Sequence, residues 1–213
     1  MSELNGNGLK RHSIDDDRYY DPSFYKLVTY EVESEYYPLI GEFISVFNAL
    51  EDSLSEELIE YLDNDKIPNV GWLVISDMSY SSKVILWEKL ILNVGHLILK
   101  EECKTEKEKK QMEAFIKKVE DYRKEYSDLG EIRNCIAHGN WQSMNTDFYV
   151  KTKTKADKKG VTHQHIEIKK EEFDGLIDRV EKFEKDFLGF NKWFQTQMGI
   201  LIQKAPEKKT NSG

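Results

Sequence analysis

The strongest constraint on the fold is an apolar stripe that runs from Met112 to Ile136. Its members, Met112, Phe115, Val119, Tyr122, Tyr126, Leu129, Ile132 and Ile136, are spaced three or four residues apart throughout. That spacing puts them all on one helix face, and a stripe of this length calls for packing against other helices. The helix is predicted to start near Thr105 and to end at Gly139, about 33 residues and roughly 50 Å. The alternation of three and four also resembles a coiled-coil seam, so burial inside one bundle and burial against a second copy both stay open.

The composition agrees with long helices. Hydrophobic residues make up 39% and charged residues 33%, as expected when amphipathic helices carry heavily charged outer faces. Four Pro and 12 Gly in 213 residues leave room for uninterrupted helices. The net charge of −8 argues against broad, non-specific nucleic-acid binding, while allowing a small site that grips one or two phosphates. Cys103 and Cys135 lack metal-type spacing and suit a reduced compartment. No apolar run is long enough to span a membrane and no signal-peptide core is evident, so a cytoplasmic protein without membrane contact is expected.

Along the chain, residues 1–18 are polar and read as a disordered arm. A helical domain is expected over 19–205, with a mobile tail over 206–213. Asp21-Pro22 reads as a helix start, and the helix carrying Phe24, Leu27 and Val28 should stop or kink near Pro38. A second helix carries Phe43, Phe47, Leu50, Leu54 and Tyr61 and ends at Asp63-Asn64-Asp65. Trp72 to Ile75 is too short to assign. From Ser79 to Lys100 the pattern is apolar nearly all round, which predicts the most buried helix of a bundle. After Trp141 the period changes to two: Phe148 and Val150, then Ile166 and Ile168, read as the strands of a hairpin within about 146–169. A last helix from Lys170 to Lys204 carries Phe173, Ile177, Val180, Phe183, Phe187, Phe190 and Phe194. The predicted fold is therefore an all-α, up-and-down bundle of about five helices with one β-hairpin inserted before the last.

The end of the Met112–Ile136 helix carries the chemistry. Measured from Ile132, Arg133 lies at about 100°, Asn134 at about 200° and His138 at about 240° around the axis, away from the apolar stripe. A guanidinium offers a fork of donors to a phosphate, and an imidazole moves protons near neutral pH. The same residues also suit a plain helix end, where basic side chains meet the negative pole and cap carbonyls.

Arg133-Asn134-x-x-x-His138, followed by Gly139 and Trp141, resembles the signature of the higher-eukaryote-and-prokaryote nucleotide-binding (HEPN) superfamily. The resemblance also covers the helical layout of roughly residues 43–141, including Phe47-x-x-Leu50-Glu51-x-x-Leu54. It implies a metal-independent RNA endonuclease of a toxin–antitoxin or phage-defence system, working as a homodimer with the two motifs face to face. It implies catalytic roles for Arg133, Asn134 and His138, an RNA substrate, an antitoxin or other regulatory protein as partner, and no cofactor. Other members are non-catalytic interaction or nucleotide-binding modules, which is the alternative expectation here. Members neutralised by an AMP-transferring antitoxin carry Tyr two residues after the His, where this chain has Asn140.

Supporting candidates are Glu51, Lys83 and Trp141. Lys151, Lys153 and Lys155 either contact RNA phosphates or keep an exposed turn solvated. His163 and His165 share a strand face, but no third ligand is evident and no metal is expected.

Overall fold

The computed structural model describes residues 2–4, 10–15, 30–63, 69–101, 105–138, 140–145, 148–157 and 160–204. The described chain is mostly helical, with five helices. These are α1 (Tyr30–Leu62), α2 (Val70–Ile75), α3 (Tyr80–Glu101), α4 (Glu106–His138) and α5 (Lys170–Lys204).

Polar caps start α3 and α4 where the sequence puts them. At α3, Ser79 Oγ accepts from the Ser82 amide at 3.3 Å. At α4, Thr105 and Glu108 form a reciprocal capping box: Glu108 Oε2 accepts from the Thr105 amide at 2.7 Å, and Thr105 Oγ1 accepts from the Glu108 amide at 3.3 Å. Contacts between helices set their directions. Tyr80 meets Tyr126 and Trp87 meets Tyr122, so α3 and α4 are antiparallel. Tyr36 meets Phe173 and Tyr61 meets Phe194, so α1 and α5 are parallel. Phe47 meets Tyr80 and Lys83 meets Glu51, which makes α1 and α3 parallel as well.

The core is rich in aromatic rings. Trp87, Tyr122, Tyr126, Phe183, Phe187 and Phe190 interlock with centroid spacings from 4.7 Å, for Tyr126–Phe183, to 6.5 Å, for Phe183–Phe187. The fully buried Asn191 joins three helices. Its Oδ1 accepts from Trp87 Nε1 at 3.1 Å and from the Tyr61 hydroxyl at 3.3 Å, and its Nδ2 donates to the Phe187 carbonyl at 3.2 Å. Arg179 grips Glu125 with Nε at 2.6 Å and Nη2 at 2.7 Å, a forked bond between α5 and α4.

Three expectations change. The helix expected to stop or kink at Pro38 runs through it, and α1 is a single element of 33 residues. Pro38 faces solvent, where water can satisfy the carbonyl that loses its amide partner, while Tyr36 and Phe43 on either side stay buried. Phe24, Leu27 and Val28 lie outside the described residues. Trp72–Ile75 belongs to the short α2. The all-round apolar α3 buries one stripe, Val84, Trp87 and Ile91, and leaves Ile85 and Leu97 exposed, since the described neighbours pack on that stripe.

Strand backbone is assigned to β1 (Ser2–Leu4), β2 (Lys10–Asp15), β3 (Asn140–Asn145), β4 (Phe148–Asp157) and β5 (Gly160–Ile168), in the order β1-β2-β5-β4-β3. Of their described side chains, Ile166 and Ile168 are buried and Trp141 is partly so. The expected tail at 206–213 lies outside the described residues. No helix among the described residues is long and apolar enough to cross a membrane.

Candidate functional site

The last two turns of α4 are anchored by Ile132 and Ile136, both essentially sealed from solvent. Arg133 is next to this anchor and half-buried, whereas Asn134 and His138 are exposed. The three polar side chains meet. Arg133 Nη1 donates to Asn134 Oδ1 at 3.2 Å and stands 3.3 Å from His138 Nε2. A guanidinium can only donate, so in a hydrogen bond across this contact His138 Nε2 is the acceptor. Arg133 Nε is sealed from solvent and has no hydrogen-bond partner among the described residues.

The seat under Arg133 comes from two other helices. Its Cζ lies 5.9 Å from the ring centroid of Phe47, a cation–π contact with α1. Phe47 leans on Tyr80 of α3 at 5.0 Å. The Tyr80 hydroxyl donates to the Tyr126 carbonyl at 2.9 Å. Burial, and then the carboxylates of Glu51 and Glu125, push the Tyr80 hydroxyl pKa well up, so it remains a donor at any physiological pH. A Cβ added at Gly130 would stand 2.6 Å from Tyr80 Cε1, and only glycine lets α3 and α4 approach this closely. Phe47 reads in the sequence as one more apolar position. Gly130 is the visible signal, since a glycine inside a long helix marks close approach.

Trp141 caps the helix. Its Nε1 donates to the Ile136 carbonyl at 3.0 Å, one of the last-turn acceptors that α4 itself cannot satisfy. The indole packs on Tyr36 at 6.2 Å and Phe173 at 6.3 Å, tying the end of α4 to α1 and α5. Glu51 and Lys83 form an ion pair at 2.9 Å, with side-chain exposures of 23% and 12%. This pair lies one turn of α1 beyond Phe47, and the two charges bridge α1 to α3. Lys151, Lys153 and Lys155 fall on the backbone assigned to β4. Their side chains, like those of Asn140, His163 and His165, lie outside the described residues. Among the described residues no group of three or more His, Cys, Asp or Glu is placed to hold a metal ion.

Comparison with protein-family models, with curated proteins and with solved structures finds no match. The reading of the site therefore rests on its own geometry and on the motif.

Proposed function

We propose that the chain is a metal-independent RNA endonuclease of HEPN type, acting in the cytoplasm as a toxin or phage-defence effector. The observation that carries this reading is the Arg133–Asn134–His138 contact at the exposed end of α4. As Arg133 turns from His138 to the phosphate, the freed Nε2 of His138 takes the proton of an RNA 2′-hydroxyl as general base. The 2′-oxygen attacks the adjacent phosphorus and the bond to the 5′-oxygen breaks. The leaving oxygen gains a proton from a general acid, which is the protonated His138 of a second copy in a homodimer with its motifs face to face. Arg133 stabilises the added negative charge on the phosphoryl oxygens, and Asn134 holds the guanidinium in position. In the same reading, residues 146–169 form a hairpin inserted before α5. Lys151, Lys153 and Lys155 steer the RNA backbone, and an antitoxin or other regulatory protein covers the site.

Purified protein should cut single-stranded RNA in the presence of EDTA, leaving a 2′,3′-cyclic phosphate and a 5′-hydroxyl. DNA, which lacks the nucleophile, should survive. His138→Ala should lose roughly 10²–10⁴-fold in rate. Arg133→Lys should not restore full activity, because an ammonium keeps the charge and loses the fork. Cleavage that persists in His138→Ala, or that requires added metal, overturns the mechanism. A folded dimer that cuts no RNA moves the assignment to a non-catalytic interaction or nucleotide-binding module.

A further inference from the structure

The short helix α2 presents apolar side chains to solvent. Gly71 and Ile75, four residues apart, form its buried face. Trp72, Leu73 and Val74 span the rest of the turn with exposures of 61%, 76% and 43%. A surface helix ordinarily shows a polar face outward, and this one, Val-Gly-Trp-Leu-Val-Ile, has none. It is also firmly seated. The Gly71 amide donates to Asp63 Oδ1 at 2.6 Å, and a Cβ at Gly71 would stand 2.7 Å from Ile59 Cα, so α2 lies directly on the backbone of α1. Asn69, with φ of 68°, turns the chain into this position. Three contiguous large apolar side chains held outward on a fixed support are the mark of a contact surface.

The surroundings of this patch specify its occupant. Measured from Ile59, Asp52 and Glu56 lie at about 20° and about 60° around the α1 axis, on the side that faces α2. Glu60 follows Ile59, and Asp77 follows α2. All four carboxylates are exposed, and among the described residues none has an ion-pair partner. An acidic rim repels RNA and anionic lipid, and it repels the same rim on a second copy. We propose that the Trp72–Leu73–Val74 surface docks a basic amphipathic helix of a partner protein, with apolar residues against α2 and Lys or Arg over Asp52 and Glu56. This does not rest on the ribonuclease reading.

The test titrates the full chain with two labelled synthetic helices that share a leucine face, one with lysine on its other positions and one with glutamate. Anisotropy should show saturable binding of the lysine peptide only. Leu73→Ser should weaken it about tenfold or more, as loss of a central apolar anchor does. Val74→Ser serves as a second variant should Leu73→Ser melt early. His138→Ala should bind as the wild type does, which separates this surface from the α4 site. The double variant Asp52→Lys, Glu56→Lys should exchange the preference toward the glutamate peptide. Lysine-peptide binding that ignores Leu73→Ser and Val74→Ser reflects net charge alone and overturns the proposal. So does a lack of saturable binding, or self-association relieved by Leu73→Ser, which makes a second copy the occupant.

Discussion

Arg133 and His138 differ in what the fold asks of them, although both stand on the same two turns. His138 is exposed, so His138→Ala should change folding stability by less than about 1 kcal/mol. Leu129 is fully buried one turn before Arg133, and Leu129→Ala should cost about 2–5 kcal/mol through lost burial and a cavity. Thermal melts of the two variants check this, and equal losses would make His138 a structural residue. Gly130 gives a sharper case. Tyr80 is pinned by Phe47, by Tyr126 and by its bond to the Tyr126 carbonyl, so it cannot swing away from a new methyl. Gly130→Ala is expected to cost about 1–3 kcal/mol, against the gain that alanine usually brings inside a helix. Because Tyr80 props Phe47 beneath Arg133, the proposed RNA cleavage should also be slower in the surviving folded protein; single-turnover rates would measure that.

At the scale of elements, the long helices are legible because each carries a strong period, and α3 and α4 also carry caps of the expected kind in Ser79 and Thr105. α2 is not legible, because six residues span less than two turns and cannot show a period. The passage of α1 through Pro38 is hidden for another reason: propensity counts the lost hydrogen bond and does not see the core on either side. Within the site, Arg133, Asn134 and His138 could be grouped from spacing alone. Their seat on Phe47 and Tyr80 could not, since it joins residues far apart in the chain. One inter-helix feature is open to direct test. Glu57 on α1 is half-buried and accepts from Gln195 Nε2 of α5 at 3.3 Å. Burial first, then Glu60 and Glu56, push its carboxyl pKa from 4.5 up to about 7. The folded state therefore holds this proton more tightly than the unfolded chain. The advantage is present below about pH 4.5 and is lost as pH rises through about 7. Since half the side chain meets solvent, the cost at about pH 8 is on the order of 1 kcal/mol. Glu57→Gln should be more stable by about that amount near pH 8, and the gap should close near pH 4.5, as read from urea melts.

For the whole molecule, the question is what a single copy can achieve. One motif offers one guanidinium and one imidazole, whereas in-line displacement at phosphorus gains from several groups around one phosphate. The proposed ribonuclease is therefore expected to be a dimer at micromolar concentration by light scattering. A monomer that cuts RNA at full rate would refute this arrangement.

The parallel pairing of α1 with α5 has a consequence for how the protein is made. Partners across that seam are more than a hundred residues apart, 131 between Ser53 and Glu184 and 138 between Glu57 and Gln195. During synthesis, α1, α3 and α4 leave the ribosome long before α5. The rings of Tyr122 and Tyr126 meet Trp87 early but lack Phe183 and Phe187 until α5 arrives, and Trp141 lacks Phe173 until the same moment. The end of α4 thus cannot reach its final setting before α5 has been made.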